Sequence, residues 1–250
     1  GYSALRCNTT GNQNIAMGTN SLLANTTGGY NTAIGCGTLC SNVGGDINTA
    51  LGEGSLGKNT EGSYNVGLGG YALAGNTVGE ENIAAGRCAL QYALSGDYNI
   101  ALGTTALRYN YGGCDNVAIG RNALYTNTDG GCNSAFGRNA LYSNTDGDCN
   151  ISFGYAAGRY LADGSTALTS PDNSTYIGAD TRGKVVGDSN VTVIGYCACA
   201  CGDNTVSIGN GDVTATHING NLVLPDIPTS DPGVVNALWS DSGDLKISAG

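Results

Sequence analysis

Residues Asn116 to Cys132 read NVAIGRNALYTNTDGGC, and Asn133 to Cys149 read NSAFGRNALYSNTDGDC. The second segment is the first displaced by 17 residues, with the Asn, Ala, Gly, Ala-Leu and Asn-Thr-Asp-Gly positions kept. Outward in both directions the motif Asn-x-Ala-x-Gly starts at Asn14, Asn31, Asn48, Asn65, Asn82, Asn99, Asn116, Asn133 and Asn150, always at a step of 17. Gly67 takes the Ala position after Asn65, and Ser152 takes it after Asn150. A closing Gly column runs from Gly1 to Gly154, a Leu column from Leu5 to Leu141, and a second Gly column from Gly11 to Gly147. An uninterrupted repeat of this kind decides architecture ahead of any local propensity.

Each repeat reads as two short strands and two turns. In the first strand Ile100 and Leu102 flank Ala101, a period-two alternation that sends the larger pair and the small residue to opposite faces. The second strand is expected around the Ala-Leu pair, as at Ala106-Leu107 and Ala123-Leu124. Asn-Thr-x-Gly segments, as at Asn25 to Gly28 and Asn127 to Gly130, carry turn chemistry, since Asn and Gly tolerate positive φ. Nothing in the chain shows sustained helical periodicity with caps.

Stacked repeats of this type make an all-β parallel β-solenoid, a β-roll of 17-residue coils. Coils spaced by about 4.8 Å would give a rod on the order of 48 Å for roughly ten of them. The larger strand residues and the Leu column are expected inside. The Asn column is expected to form a structural ladder bonding one coil to the next, in preference to a sugar-binding role. Such a thin coil buries few large side chains against the backbone entropy of 17 residues. The column Ala16, Ala33, Ala50, Gly67, Ala84 and Ala101 is then expected to be a flat outer face on which other chains pack, giving a homotrimer.

Composition narrows the function classes. The net charge is −10 and only 12% of residues are charged, which argues against nucleic acid and against a polybasic membrane contact. No apolar run is long enough to span a bilayer, so membrane insertion is not expected. The chain starts inside a repeat at Gly1 without an initiator Met, and a processed product or a piece of a longer protein is expected.

Four regions follow from the register. Residues 1–158 hold the regular repeats, 159–173 an inserted polar loop with Pro171, and 174–221 irregular coils closing at Gly178, Gly195 and Gly209. Residues 222–250 hold a linker with Pro225, Pro228 and Pro232 and a small β-hairpin cap. Its strands are expected at Ala237–Ser240 and Leu245–Ser248, with Trp239 packing its base.

The repeats resemble the left-handed β-roll of YadA-like trimeric autotransporter adhesin heads. Asn190-Val-Thr-Val-Ile-Gly195 and Asn204-Thr-Val-Ser-Ile-Gly209 are most similar to that family's signature. The Asn-Thr-Ala-Ile-Gly form with Asn-Thr-Thr-Gly turns, and the segment from Pro228 to Ser248, are more similar to bacteriophage tail fibres. The resemblance implies a trimeric attachment structure at a virion surface or in the extracellular space. Its implied partners are itself, other virion or fibre proteins, and a host surface glycan or protein.

Chemistry-bearing residues are sparse. His217 is the single histidine, so a Ser-His-Asp arrangement has one base to draw on; three copies meeting on a trimer axis are its metal-binding reading. Cys197, Cys199 and Cys201 alternate on one strand face and are the other metal candidates, although no zinc-type spacing occurs. Cys132 and Cys149 share one position on consecutive coils and are candidates for a disulfide. Asp46, Glu80, Asp97 and Asp148 share another position and read as a solvated acidic edge in preference to a catalytic carboxylate pair. The Thr column Thr9, Thr26, Thr60, Thr77, Thr128 and Thr145 is broken by Val43, Leu94 and Tyr111, which disfavours a flat ice-binding plane. No cofactor and no enzymatic activity are expected. The leading expectation is a phage tail fibre or virion spike. The alternatives are a bacterial adhesin head or extracellular filament subunit, and a glycan depolymerase.

Overall fold

The computed structural model describes residues 1–217, 238–241, 244–247 and 249. It is an all-β parallel β-solenoid in which twelve three-residue strands form one sheet in strict chain order. The first six are β1 (Ile15–Met17), β2 (Thr32–Ile34), β3 (Thr49–Leu51), β4 (Val66–Leu68), β5 (Ile83–Ala85) and β6 (Ile100–Leu102). The next six are β7 (Val117–Ile119), β8 (Ser134–Phe136), β9 (Ile151–Phe153), β10 (Thr175–Ile177), β11 (Thr192–Ile194) and β12 (Val206–Ile208). Neighbours pair column on column, Ile100 with Val117, Ala101 with Ala118 and Leu102 with Ile119. The step from β9 to β10 is 24 residues (Ile151 with Thr175), and from β11 to β12 it is 14 (Thr192 with Val206).

The lumen is filled in the opposite sense to the expectation from strand alternation. Ala33, Ala50, Ala84, Ala101, Ala118 and Ala135 are fully buried, whereas Ile15, Met17, Leu51 and Phe153 are 52, 60, 48 and 60% exposed. The reason is the width of the coil. The Leu column, Leu22 to Leu141, enters from the opposite wall and is fully buried, leaving the strand's inward position room for a methyl group. At Gly67 even that room is taken, because the Ser55 hydroxyl stands where a Cβ would go and donates to the Gly67 carbonyl at 2.9 Å.

The Ala-Leu segment is not a second strand. Leu22, Leu107 and Leu124 have φ of 50°, and the whole Leu column lies between 46° and 53°. A left-handed residue bends the chain tightly while keeping coil-to-coil bonds, such as Leu107 N–H to the Ala123 carbonyl at 2.9 Å. That conformation costs about 1–2 kcal/mol for a non-glycine residue. Full burial of the leucine side chain, about 1.5–3 kcal/mol, offsets it.

The longer step after β9 is taken up by a loop that folds back on itself. Tyr160 and Ala167 form an antiparallel bridge, and Leu161 N–H donates to the Thr166 carbonyl at 2.8 Å. At its tip the Thr166 hydroxyl and the N–H groups of Ser165 and Thr166 pull the Asp163 carboxyl down to about 2. Val213–Gly250 is a separate compact unit. Within it β13 (Leu238–Asp241) and β14 (Asp244–Ile247) pair antiparallel with Asp241 opposite Asp244, each strand one residue from its expected bounds. The packing expected of Trp239 lies outside the described residues.

Candidate functional site

The Asn column is structural and internal. Asn31, Asn48, Asn65, Asn82, Asn99, Asn116, Asn133 and Asn150 are fully buried, and Asn14 is half-buried. Each Oδ1 accepts the backbone N–H of the next member, as Asn48 does from Asn65 (3.0 Å) and Asn133 from Asn150 (3.0 Å). Each Nδ2 donates to a turn carbonyl, as Asn65 does to Gly79 (2.8 Å). The bonding to the next coil therefore runs mainly through that residue's backbone N–H, with amide-to-amide bonds added at some steps, such as Asn99 to Asn82 at 3.1 Å. No face of these amides is offered to a sugar.

A second ladder runs through the turns. Asn25, Asn42, Asn59 and Asn76 each donate Nδ2 to the preceding member's Oδ1 at 2.8 Å, beginning with Asn8. They also donate to the glycine three residues on, as Asn42 does to Gly45 at 2.9 Å. Ala93 interrupts the column, and Leu168 follows Asn144 at its far end. Asn76 Oδ1 and Asn144 Oδ1 are accordingly buried without a partner. The 17-residue spacing of Asn8, Asn25 and Asn42 was the available signal, hidden by their equally good reading as turn residues.

The acidic position is also tied into the stack. Asp46 Oδ1 accepts Gly29 N–H (2.6 Å), Asp97 Oδ1 accepts Glu80 N–H (2.8 Å) and Asp148 Oδ1 accepts Gly131 N–H (2.6 Å). These carboxylates act as clips between coils.

Cys132 and Cys149 stand in register two residues before β8 and β9, and both are free thiols. Partial desolvation, and then the neighbouring Cys149, push the Cys132 thiol up. Cys197 and Cys199 are half-buried and Cys201 is exposed; His217 is exposed in the other compact unit. Among the described residues no three His, Cys, Asp or Glu side chains converge as a metal site. No helix among them is long and apolar enough to cross a membrane.

Two outer surfaces stand out instead. The first is the outward face of the twelve-stranded sheet, carrying Ile15, Met17, Leu51, Leu68, Ile83, Ile119, Ile151, Phe153, Ile177, Ile194, Val206 and Ile208, all exposed. Its borders differ in charge. Up to residue 159, all seven Lys and Arg residues lie in the segment between the motif Gly and the turn Asn, after the strand. Nine of the ten acids in the same span lie between the turn and the motif Asn, before the strand; Glu53 is the exception.

The second surface is a ladder of tyrosines and arginines on the segment after the strand. Tyr92 stacks on Tyr109 (centroids 5.2 Å, 12° between planes), Tyr109 meets Tyr125 edge-on at 5.2 Å, and Tyr125 stacks on Tyr142 at 4.9 Å. Arg108 lies over Tyr92 and Tyr109 at 5.6 and 5.4 Å, and Arg159 over Tyr142 and Tyr160 at 4.5 and 4.6 Å. At the Tyr92 end a cavity of about 200 Å³ is lined by Lys58, Tyr71, Ala74, Gly75, Gln91 and Tyr92. No protein-family model matches the chain, and no curated protein matches its sequence.

Proposed function

We propose that this chain is the shaft or head of a homotrimeric fibre, a phage tail fibre or virion spike that reaches and attaches to a host surface. The observation that carries the reading is the largely apolar outward face of the sheet, with exposed large hydrophobic residues on nine of its twelve strands and half-buried ones on β2, β6 and β8. A soluble monomer rarely exposes an apolar patch beyond a few hundred Å², and a flat row of β-branched and aromatic residues suits burial against copies of itself. The charged borders support a cyclic arrangement. In a parallel ring each acidic border meets the basic border of the next chain, a heterologous contact that closes by rotation. A two-fold face-to-face dimer of antiparallel rods would bring like borders together.

The virion setting rests on the resemblance of the Asn-Thr-Ala-Ile-Gly coils and the closing segment to phage fibres. The Val-Thr-Val-Ile-Gly form at β11 favours the second reading, a bacterial adhesin head or extracellular filament subunit. Immunogold imaging with antibody to the purified chain separates the two: label on virion appendages supports the first, and label on cell-surface projections without virions rejects it.

A further inference from the structure

We propose that the tyrosine–arginine ladder, with the cavity at its foot, binds an acidic saccharide bearing carboxylate or sulfate groups. The inference deepens the attachment reading and rests on it.

The argument starts from Gly75. Tyr92 and Tyr109 occupy one column of successive coils, and the residue one coil before Tyr92 is Gly75. The stack therefore stops at Tyr92, which together with Gly75 lines the cavity. The space, about 200 Å³, is below the roughly 300–1,000 Å³ of a drug-sized ligand's pocket and suits one pyranose ring lying flat on an aromatic face. Its rim is polar. Lys58 and Gln91 line it, and Tyr71 is fixed by donating its hydroxyl to Glu53 Oε1 at 3.0 Å.

Charge selects an acidic sugar over a neutral one. Lys58 reaches the cavity, and Arg108 lies beside Tyr92, held by Gln91 Oε1 (2.9 Å) and the Tyr125 hydroxyl (3.3 Å). Neither of those partners is a carboxylate, so the guanidinium's positive charge is not neutralised by its own hydrogen bonds. Farther along, the Arg159 guanidinium lies over the Tyr142 and Tyr160 rings. Guanidinium groups of this kind pair readily with carboxylate or sulfate. The chain as a whole carries −10, so a polyanion approaching it is repelled except where the cations gather. The ladder lies on the same segment as the basic border of the sheet face, four to five positions past Arg87, Arg121 and Arg138.

The test uses the intact chain in physiological salt. Binding of polygalacturonate oligomers, carboxylated, and of dextran sulfate oligomers is measured by calorimetry against neutral dextran. Tyr92→Ala and Arg108→Gln are compared with wild type, and light scattering and circular dichroism verify each sample's fold and assembly. The expected result is saturable binding of at least one acidic oligomer, none of dextran, and a loss of about tenfold or more in both variants; which acidic oligomer binds tells carboxylate from sulfate recognition. Absence of saturable acidic binding, equal binding of dextran, or undiminished binding in either folded variant overturns the proposal. If assembly is intact while binding is absent, only the saccharide site fails; loss of assembly in wild type would instead strike at the fibre reading.

Discussion

Tyr176 fills the space in the lumen that Gly158 leaves open. Gly158 stands one coil after Leu141, where the Leu column would continue, and a Cβ there would lie 3.0 Å from both Leu141 Cδ2 and Tyr176 Cδ2. Tyr176 occupies the inward strand position that is Ala in most coils, and it is fully buried. A large residue on one wall is matched by the smallest on the other. Tyr176→Ala should cost about 3–5 kcal/mol, and Gly158→Leu should also destabilise by overpacking. The double variant G158L/Y176A restores the usual Leu-and-Ala coil. It should therefore recover much of the loss, a coupling readable by thermal unfolding of all four proteins. Strictly additive losses would show that the two positions do not share one space.

Ala93 breaks the second Asn ladder, leaving Asn76 Oδ1 without a donor. Ala93→Asn would supply that donor and an acceptor for Asn110, whose Nδ2 now bonds Gly113 at 2.7 Å. The gain should be about 0.5–1.5 kcal/mol per bond, seen as a raised unfolding midpoint. An unchanged or lowered midpoint would mean that the coil at this point cannot take the amide.

The inside and outside of the strand can be tested by two single changes on neighbouring residues. Ala101 is fully buried and Ile100 is half-exposed within one chain. Ala101→Leu should destabilise by about 1–3 kcal/mol or more. Ile100→Asp should leave the coil fold intact by circular dichroism and weaken self-association. Equal loss of secondary structure in both variants would contradict the assignment.

High pH should act through Tyr176. Burial, and then the charge of Asp188, hold its phenol above the ordinary tyrosine range. Its hydroxyl is buried without a partner, and Ser174 on its N-terminal side donates instead to the Asp172 carbonyl at 2.7 Å. Because the folded-state value is raised, the neutral phenol's contribution is complete below about pH 10, the unfolded value, and is lost as pH rises past it. Wild type should therefore lose thermal stability more steeply than Tyr176→Phe between about pH 8 and about pH 11. Parallel declines would remove Tyr176 as the source.

Much of the architecture was legible because stacking in register puts the same residue at the same place in every coil, so Asn14 to Asn150 and Leu5 to Leu141 announce the period directly. What alternation could not give was which strand face is inside. Ile100-Ala101-Leu102 has a large and a small face either way, and the decision comes from the leucine on the far wall, whose left-handed φ turns it into the lumen. The Ala-Leu pair was misread for the same reason, since Leu107 is a poor residue for positive φ and only burial holds it there. The tyrosine ladder was missed because it changes column midway. Tyr92 and Tyr109 keep one step of 17, Tyr125 and Tyr142 another, and the two pairs are offset by one residue. Cys132 and Cys149 show the reach of spacing alone: it gives their register, and the thiols are free.

Self-association through the sheet face is most directly tested by light scattering on the intact chain and on Ile100→Asp/Val117→Asp, which puts two adjacent charges on that face. For wild type a mass of about three times the 25.1 kDa chain is expected, and for the double variant a folded species of lower mass. A stable, folded wild-type monomer, or a variant that remains fully trimeric, would contradict the proposal that the apolar face is where the fibre is assembled.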